Sequence, residues 1–82
     1  MTTIHTVKEW LGERDATELD PAAWGAYADA LRMEAYYFTE ALCEVVYEAD
    51  GIDGVQSLYE HVMGANDAAI DGCVQVWLAA NQ

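Results

Sequence analysis

One apolar repeat constrains the fold of this chain more than any other feature of its sequence. Between residues 20 and 49, apolar side chains recur at steps of three and four, which places them on one face of an α-helix. Asp20 can cap the start of this helix, and Pro21 suits its first position because the N–H that proline lacks would be unpaired there. We predict one long amphipathic helix over residues 21–49. Its apolar face consists of Trp24, Tyr27, Leu31, Ala35, Phe38, Leu42, Val45 and Ala49.

The length of this helix leaves one alternative open. A helix over residues 21–49 is much longer than the average of about 11–12 residues. A kink or a break near Gly25 or Arg32 would divide it into two helices.

Shorter helices are predicted on both sides of the long one. Before it, the capping-box spacing of Thr6 and Glu9 predicts a helix over residues 6–14 that closes near Gly12, followed by a polar connector at 15–19. After it, Gly51 predicts a turn at residues 50–54, with Asp53 as the cap of the next helix. Apolar periodicity then predicts helices over 54–63 and 67–79, separated by Gly64 and capped by Asn66 or Asp67.

The predicted fold is a single all-α domain over residues 1–82, in which two short antiparallel helices fold back on the long helix. Only residues 3–7 offer a candidate strand, and it is short. Apolar runs are far below the roughly 20 residues of a membrane span, and the N-terminus lacks a signal-peptide pattern, so we expect a soluble cytoplasmic protein. In that compartment Cys43 and Cys73 are expected to be free buried thiols rather than a disulfide.

Charge carries most of the functional information. Fifteen acidic residues against three basic ones give a net charge of −12, and no Lys or Arg follows residue 32. Repulsion of that sign disfavours direct binding to nucleic acid or to anionic lipid, and it favours a basic partner.

Glu40, Glu44 and Glu48 form a carboxylate row, because a spacing of four places them along one side of a helix. Each step advances roughly 6 Å, the same order as the spacing of phosphates along a nucleic-acid strand. Such a row can imitate phosphates, or it can be a solvated face that keeps the protein in solution. Tyr36, Tyr37 and Tyr47 fall off the apolar face, between it and the acids, where tyrosine is typical of interface contacts.

Motifs for catalysis or metal binding are missing from the sequence. No nucleophile elbow, phosphate-binding loop or zinc-protease motif occurs, and His61 is expected to be a partly exposed surface residue. The acidic stretch at 48–60 fails the calcium-loop register, because Ile52 falls where an oxygen ligand is needed. We therefore expect no enzyme, no cofactor and no metal.

The combination of small size, large negative charge, a carboxylate row and no catalytic motif resembles the anti-CRISPR and antirestriction DNA mimics of phages and mobile elements. That resemblance implies an inhibitor that occupies the basic DNA-binding surface of a CRISPR effector in a bacterial host cell and excludes target DNA. The expected partner-binding residues are Asp29, Glu34, Tyr36, Tyr37, Glu40, Glu44, Tyr47, Glu48 and Asp50.

Other functions fit the same sequence. The chain could be an acidic helical adaptor or antitoxin-like module that binds one basic protein without DNA mimicry, or a homodimer built on the long helix. A halophile protein would carry such acids only to hold water, and it would need molar salt to fold.

Overall fold

The computed structural model describes residues 3–63 and 68–81, and it confirms a small all-α domain. Its helices are α1 (Thr3–Leu11), α2 (Trp24–Ala30), α3 (Ala35–Met63) and α4 (Ala68–Asn81). Two single-turn 3-10 helices, Ala16–Glu18 and Pro21–Ala23, connect α1 to α2. No strand occurs within the described ranges, and the candidate strand at residues 3–7 is part of α1.

Helix α1 starts and ends three residues before the predicted 6–14, so Thr6 and Glu9 lie inside it and the capping box is wrong. Its end near Gly12 is confirmed. Gly12 has a φ of 62°, and its N–H donates to the Lys8 carbonyl at 3.0 Å. This is the left-handed helix end that glycine adopts without a steric cost.

The predicted continuous helix over 21–49 is wrong, because the chain breaks between α2 and α3. Arg32 has a φ of 58°, and its N–H donates to the Asp29 carbonyl at 3.0 Å. The Met33 N–H donates to the Ala28 carbonyl, also at 3.0 Å. These two bonds form a Schellman motif, which usually has glycine at the left-handed position. The alternative of a break near Arg32 is confirmed.

The beginning of the predicted long helix also differs from the prediction. Asp20 caps the chain as expected, since its side chain accepts a hydrogen bond from the Ala22 N–H at 3.0 Å. Pro21 follows at the first position, but the turn that it opens is a 3-10 helix, and α2 begins only at Trp24. At the other end, Ala49 is exposed rather than part of the apolar face.

Helix α3 continues through the predicted turn at 50–54 with a kink. Gly51 has φ 75° and ψ −164°, a conformation that only glycine adopts readily, and helical backbone lies on both sides of it. A Cβ on Gly54 would lie 2.5 Å from the Asp50 Cβ, so the two segments approach closely there. The predicted break at Gly51 is therefore confirmed, and the helix predicted at 54–63 is the second segment of α3, which begins directly after Gly51 rather than at a cap on Asp53.

The connector at residues 15–19 is part of the core, contrary to the prediction of a polar loop. Asp15 caps the first 3-10 turn by accepting from the Thr17 N–H at 2.9 Å. Ala16 and Leu19 are buried beneath it. The Leu19 carbonyl accepts a hydrogen bond of 2.6 Å from His61 Nε2, which joins the connector to the second segment of α3.

Phe38 lies at the centre of an aromatic cluster that joins the first three helices. Its ring centroid is 5.6 Å from that of Trp10 in α1 and 5.8 Å from that of Trp24 in α2. Tyr27 of α2 is 6.4 Å from Phe38 and 5.2 Å from Trp10. Trp24 and Phe38 are fully buried. The edge-on and tilted ring pairs are geometries that stabilise aromatic contacts beyond simple burial.

Helix α4 packs along α3 and buries the side chains that the sequence predicts, but it extends to Asn81 rather than to 79. The expected stop at Gly64 and the caps at Asn66 and Asp67 lie outside the described residues. The buried face of α4 consists of Ile70, Cys73, Val74, Trp77 and Leu78.

The Schellman motif predicts an unusual order of stability at residue 32. Because the backbone there is left-handed, replacing Arg32 with Gly should give a protein about 1 kcal/mol more stable than replacing it with Ala. Both variants lose the same charge, so each is the control for the other. Urea unfolding measures the difference, and an Ala variant as stable as the Gly variant would contradict the left-handed assignment.

Candidate functional site

The first segment of α3, residues 35–50, carries the tyrosines and acids that the sequence singles out. Tyr36, Tyr37 and Tyr47 are 49%, 53% and 43% exposed, well above the buried face of the same helix. Tyr36 and Tyr37 contact each other edge-on, with ring centroids 5.9 Å apart. Glu40 is exposed one turn after Tyr36. The prediction that these three rings fall outside the apolar face of the helix is confirmed.

Glu44 has a tertiary partner that the sequence did not reveal. Trp77 of α4 donates a hydrogen bond from its indole Nε1 to Glu44 Oε1 at 2.9 Å. The Tyr47 ring then lies against the Trp77 ring, with centroids 5.4 Å apart. Because the indole is neutral, the bond orients the Glu44 carboxylate without cancelling its charge.

A groove of about 230 Å³ runs between α3 and α4 at this point, and we call it the α3–α4 groove. Cys73 lies in its lining and donates from Sγ to the Tyr36 carbonyl at 3.6 Å. Val76, which is 62% exposed, adds an apolar side chain. The groove is lined chiefly by Tyr36, Glu40 and Glu44 of α3 and by Cys73, Val76 and Trp77 of α4.

The remaining predicted site residues do not lie in this groove. Glu48 faces α1, where its carboxylate is 3.6 Å from Lys8 Nζ. Asp50 lines a different depression, between the first 3-10 turn and the kink of α3. Asp29 is exposed on α2, and Glu34 is exposed in the connection to α3.

The depression around the kink is acidic. It measures about 400 Å³, and its acids are Asp15, Asp50 and Asp53. The pKa of Asp15 is lowered because its carboxylate accepts hydrogen bonds from the backbone and the hydroxyl of Thr17. Among the described residues, no group of three His, Cys, Asp or Glu side chains is arranged to hold a metal ion.

Sequence reasoning missed the contribution of α4 to the site. Trp77 and Cys73 belong to the apolar repeat of α4, and that assignment is right, but both also reach the edge of the groove. Val76 offered the one available signal, because it is a large apolar residue that falls off the repeat formed by Val74, Trp77 and their neighbours.

The two histidines have structural contacts. His61 is half-buried, as expected, and its bond to Leu19 ties the connector to α3. His5 belongs to α1, and its Nε2 lies 3.2 Å from the Glu9 carboxylate one turn later. Neither histidine lies in the α3–α4 groove.

We find no match to this chain among protein-family models, among curated proteins or among solved structures. Within residues 3–63 and 68–81, no helix combines the length and apolar character that crossing a membrane requires.

Cys43 and Cys73 are free and buried, as predicted. Burial, with smaller contributions from the neighbouring Cys73 and Glu44, raises the pKa of the Cys43 thiol to about 12. Burial also raises the pKa of Cys73, to about 11, with a smaller contribution from Glu40. Both thiols are therefore protonated and weakly nucleophilic in the folded protein at neutral pH.

The raised thiol pKa values predict a loss of stability in alkali. Between about pH 9 and pH 11 the unfolded thiols ionise while the folded ones stay protonated, so the unfolded state binds fewer protons and stability falls as pH rises. Cys43 alone should account for about 3 kcal/mol by pH 11. Urea unfolding at pH 8 and pH 11 should show that the free energy of unfolding falls less in Cys43→Ala than in the parent protein. An equal loss in both proteins would contradict the buried-thiol account.

Proposed function

We propose that the protein is an inhibitor whose α3 face binds a basic nucleic-acid-binding surface of another protein and excludes the nucleic acid. The observation that carries this proposal is the row of exposed tyrosines set among carboxylates, from Tyr36 to Tyr47. Carboxylates would steer the face to a basic surface, and the aromatic rings would supply desolvated contacts.

The placement of positive charge supports this choice of face. All three basic residues lie within the first 32 positions, and Lys8 already pairs with Glu48. Among the described residues, neither Glu40 nor Glu44 has an ion-pair partner. Two of the three carboxylates in the row therefore keep an uncompensated charge, and Glu48, which pairs with Lys8, would contribute less.

The target class follows from the resemblance in size and charge. A bacterial defence effector such as a guide-loaded CRISPR complex presents an extended basic channel for DNA, and an acidic domain of this size could occupy it. In this proposal the protein works in a bacterial cell that an invading phage or mobile element has entered.

A second candidate function is supported by Val76. An apolar side chain that is 62% exposed beside the groove is more typical of a protein contact than of an imitated phosphate backbone. An acidic adaptor would use the same face to bind one basic protein. Such an adaptor would bind that protein whether or not nucleic acid is present.

Neutralising the carboxylate row should weaken inhibition. In the triple variant Glu40→Gln, Glu44→Gln, Glu48→Gln, we expect the concentration that displaces labelled duplex DNA from a responsive effector to rise by about tenfold or more, because charge-assisted contacts are lost. Fluorescence anisotropy with a panel of purified, guide-loaded CRISPR effectors measures the displacement.

The matched control removes three charges from other faces. Glu13, Glu18 and Glu60 are all exposed, so their Gln variant has the same net charge as the row variant. If the two variants lose inhibition equally, only net charge matters and the chosen face is wrong. If the parent displaces DNA from no effector in the panel, the inhibitor proposal fails for this class of target.

A further inference from the structure

We propose that the α3–α4 groove receives an arginine side chain of the basic partner. This inference rests on the proposed function and names the chemistry by which that face recognises its target. The groove joins Glu40 and Glu44 on one helix to Val76 and Trp77 on the other, so charge and apolar surface face the same space.

The size of the groove favours one side chain over a larger ligand. Its volume of about 230 Å³ is smaller than the roughly 300–1,000 Å³ of most small-molecule pockets. It is also open to solvent along one side, as a groove that accepts a side chain from a neighbouring protein must be. A nucleotide or a cofactor would not be enclosed here.

The lining matches a long side chain with an apolar stem and a cationic end. Val76 and the edge of Trp77 can cover methylene groups, while the Glu40 and Glu44 carboxylates can pair with the charge. Lysine and arginine both have this amphipathic form. The groove therefore specifies a basic residue of the partner.

Two features favour arginine over lysine. Glu44 is held by the 2.9 Å bond from Trp77, so its carboxylate has a fixed orientation that suits the planar fork of a guanidinium. Tyr36 is 49% exposed at the groove, and its ring offers a face on which a guanidinium can stack. An ammonium gains less from either feature because it is compact and strongly hydrated.

The chain does not fill the groove with its own cations. Lys8 pairs with Glu48 on the α1 side of α3. Arg14 folds back onto the end of α1, where its Nη2 donates to the Trp10 carbonyl at 2.7 Å and its guanidinium lies 4.4 Å from the Trp10 ring centroid. Arg32 lies in the left-handed turn after α2 and is not among the residues that line the groove.

Calorimetric titration with two peptides of equal length and charge tests this inference. One peptide repeats Arg-Gly-Ser and the other repeats Lys-Gly-Ser. At the same salt concentration we expect the arginine peptide to bind about tenfold more tightly, because a bidentate charge-assisted pair replaces a point contact. Equal affinity for the two peptides would overturn the inference.

Three variants localise the effect. Trp77→Phe removes the indole donor while keeping an aromatic ring, so it should weaken binding of the arginine peptide more than binding of the lysine peptide and reduce the preference for arginine. Glu40→Gln changes an exposed position, so it should keep the fold and weaken binding of the arginine peptide by about tenfold. The control Glu60→Gln removes an exposed charge from the second segment of α3 and should leave the affinity for both peptides unchanged. A Glu60→Gln effect as large as that of Glu40→Gln would overturn the assignment to the groove.

The outcomes separate this inference from the function on which it rests. A protein that displaces DNA from an effector but binds both peptides equally would retain the proposed function and lose the arginine site. A protein that prefers arginine, with the expected variant effects, but displaces no DNA would retain the site and favour the adaptor.

Discussion

The packing of aromatic rings around Phe38 is the interaction on which the rest of the structure depends. Trp10 from α1 and Trp24 from α2 both contact this one side chain of α3, at centroid distances of 5.6 and 5.8 Å. A chain of 82 residues can bury only a small core. A contact that joins three helices at once therefore contributes a large part of the stability. It also anchors the first turn of α3 to α1 and α2, next to Tyr36 and Tyr37, which precede Phe38 in the sequence.

The sequence predicted the helical class and the buried faces better than the breaks between helices. Apolar spacing identified the buried sides of α3 and α4 because burial follows the helical period directly. It could not show that the helix stops before residue 35, since Trp24 and Phe38 remain in one core across the break. No glycine marks that break, because Arg32 occupies the left-handed position where glycine is usual. Gly51 does mark its kink, but the sequence could not show that α3 resumes at once.

The candidate site was predictable in part for a similar reason. Helical geometry placed Tyr36, Tyr37 and Tyr47 outside the core, and the structure agrees. The apolar repeat of one helix does not show which of its side chains contact side chains of a neighbouring helix. The bond from Trp77 to Glu44 and the ion pair between Lys8 and Glu48 therefore appear only in three dimensions. These contacts divide the row of acids into two parts. Glu48 faces α1 and pairs with Lys8, whereas Glu40 and Glu44 face α4 and have no cationic partner among the described residues.

Site-specific photocrosslinking from Tyr37 tests the central claim most directly. Tyr37 is 53% exposed, so a benzoylphenylalanine there would retain an aromatic ring on the proposed binding face. The same probe at Glu60, on the second segment of α3, is the control. We predict that the probe at 37 crosslinks a CRISPR effector within its DNA-binding channel and that excess duplex DNA abolishes the crosslink. Crosslinking from position 60 alone, or crosslinking at 37 that persists with DNA bound, would contradict nucleic-acid exclusion through this face.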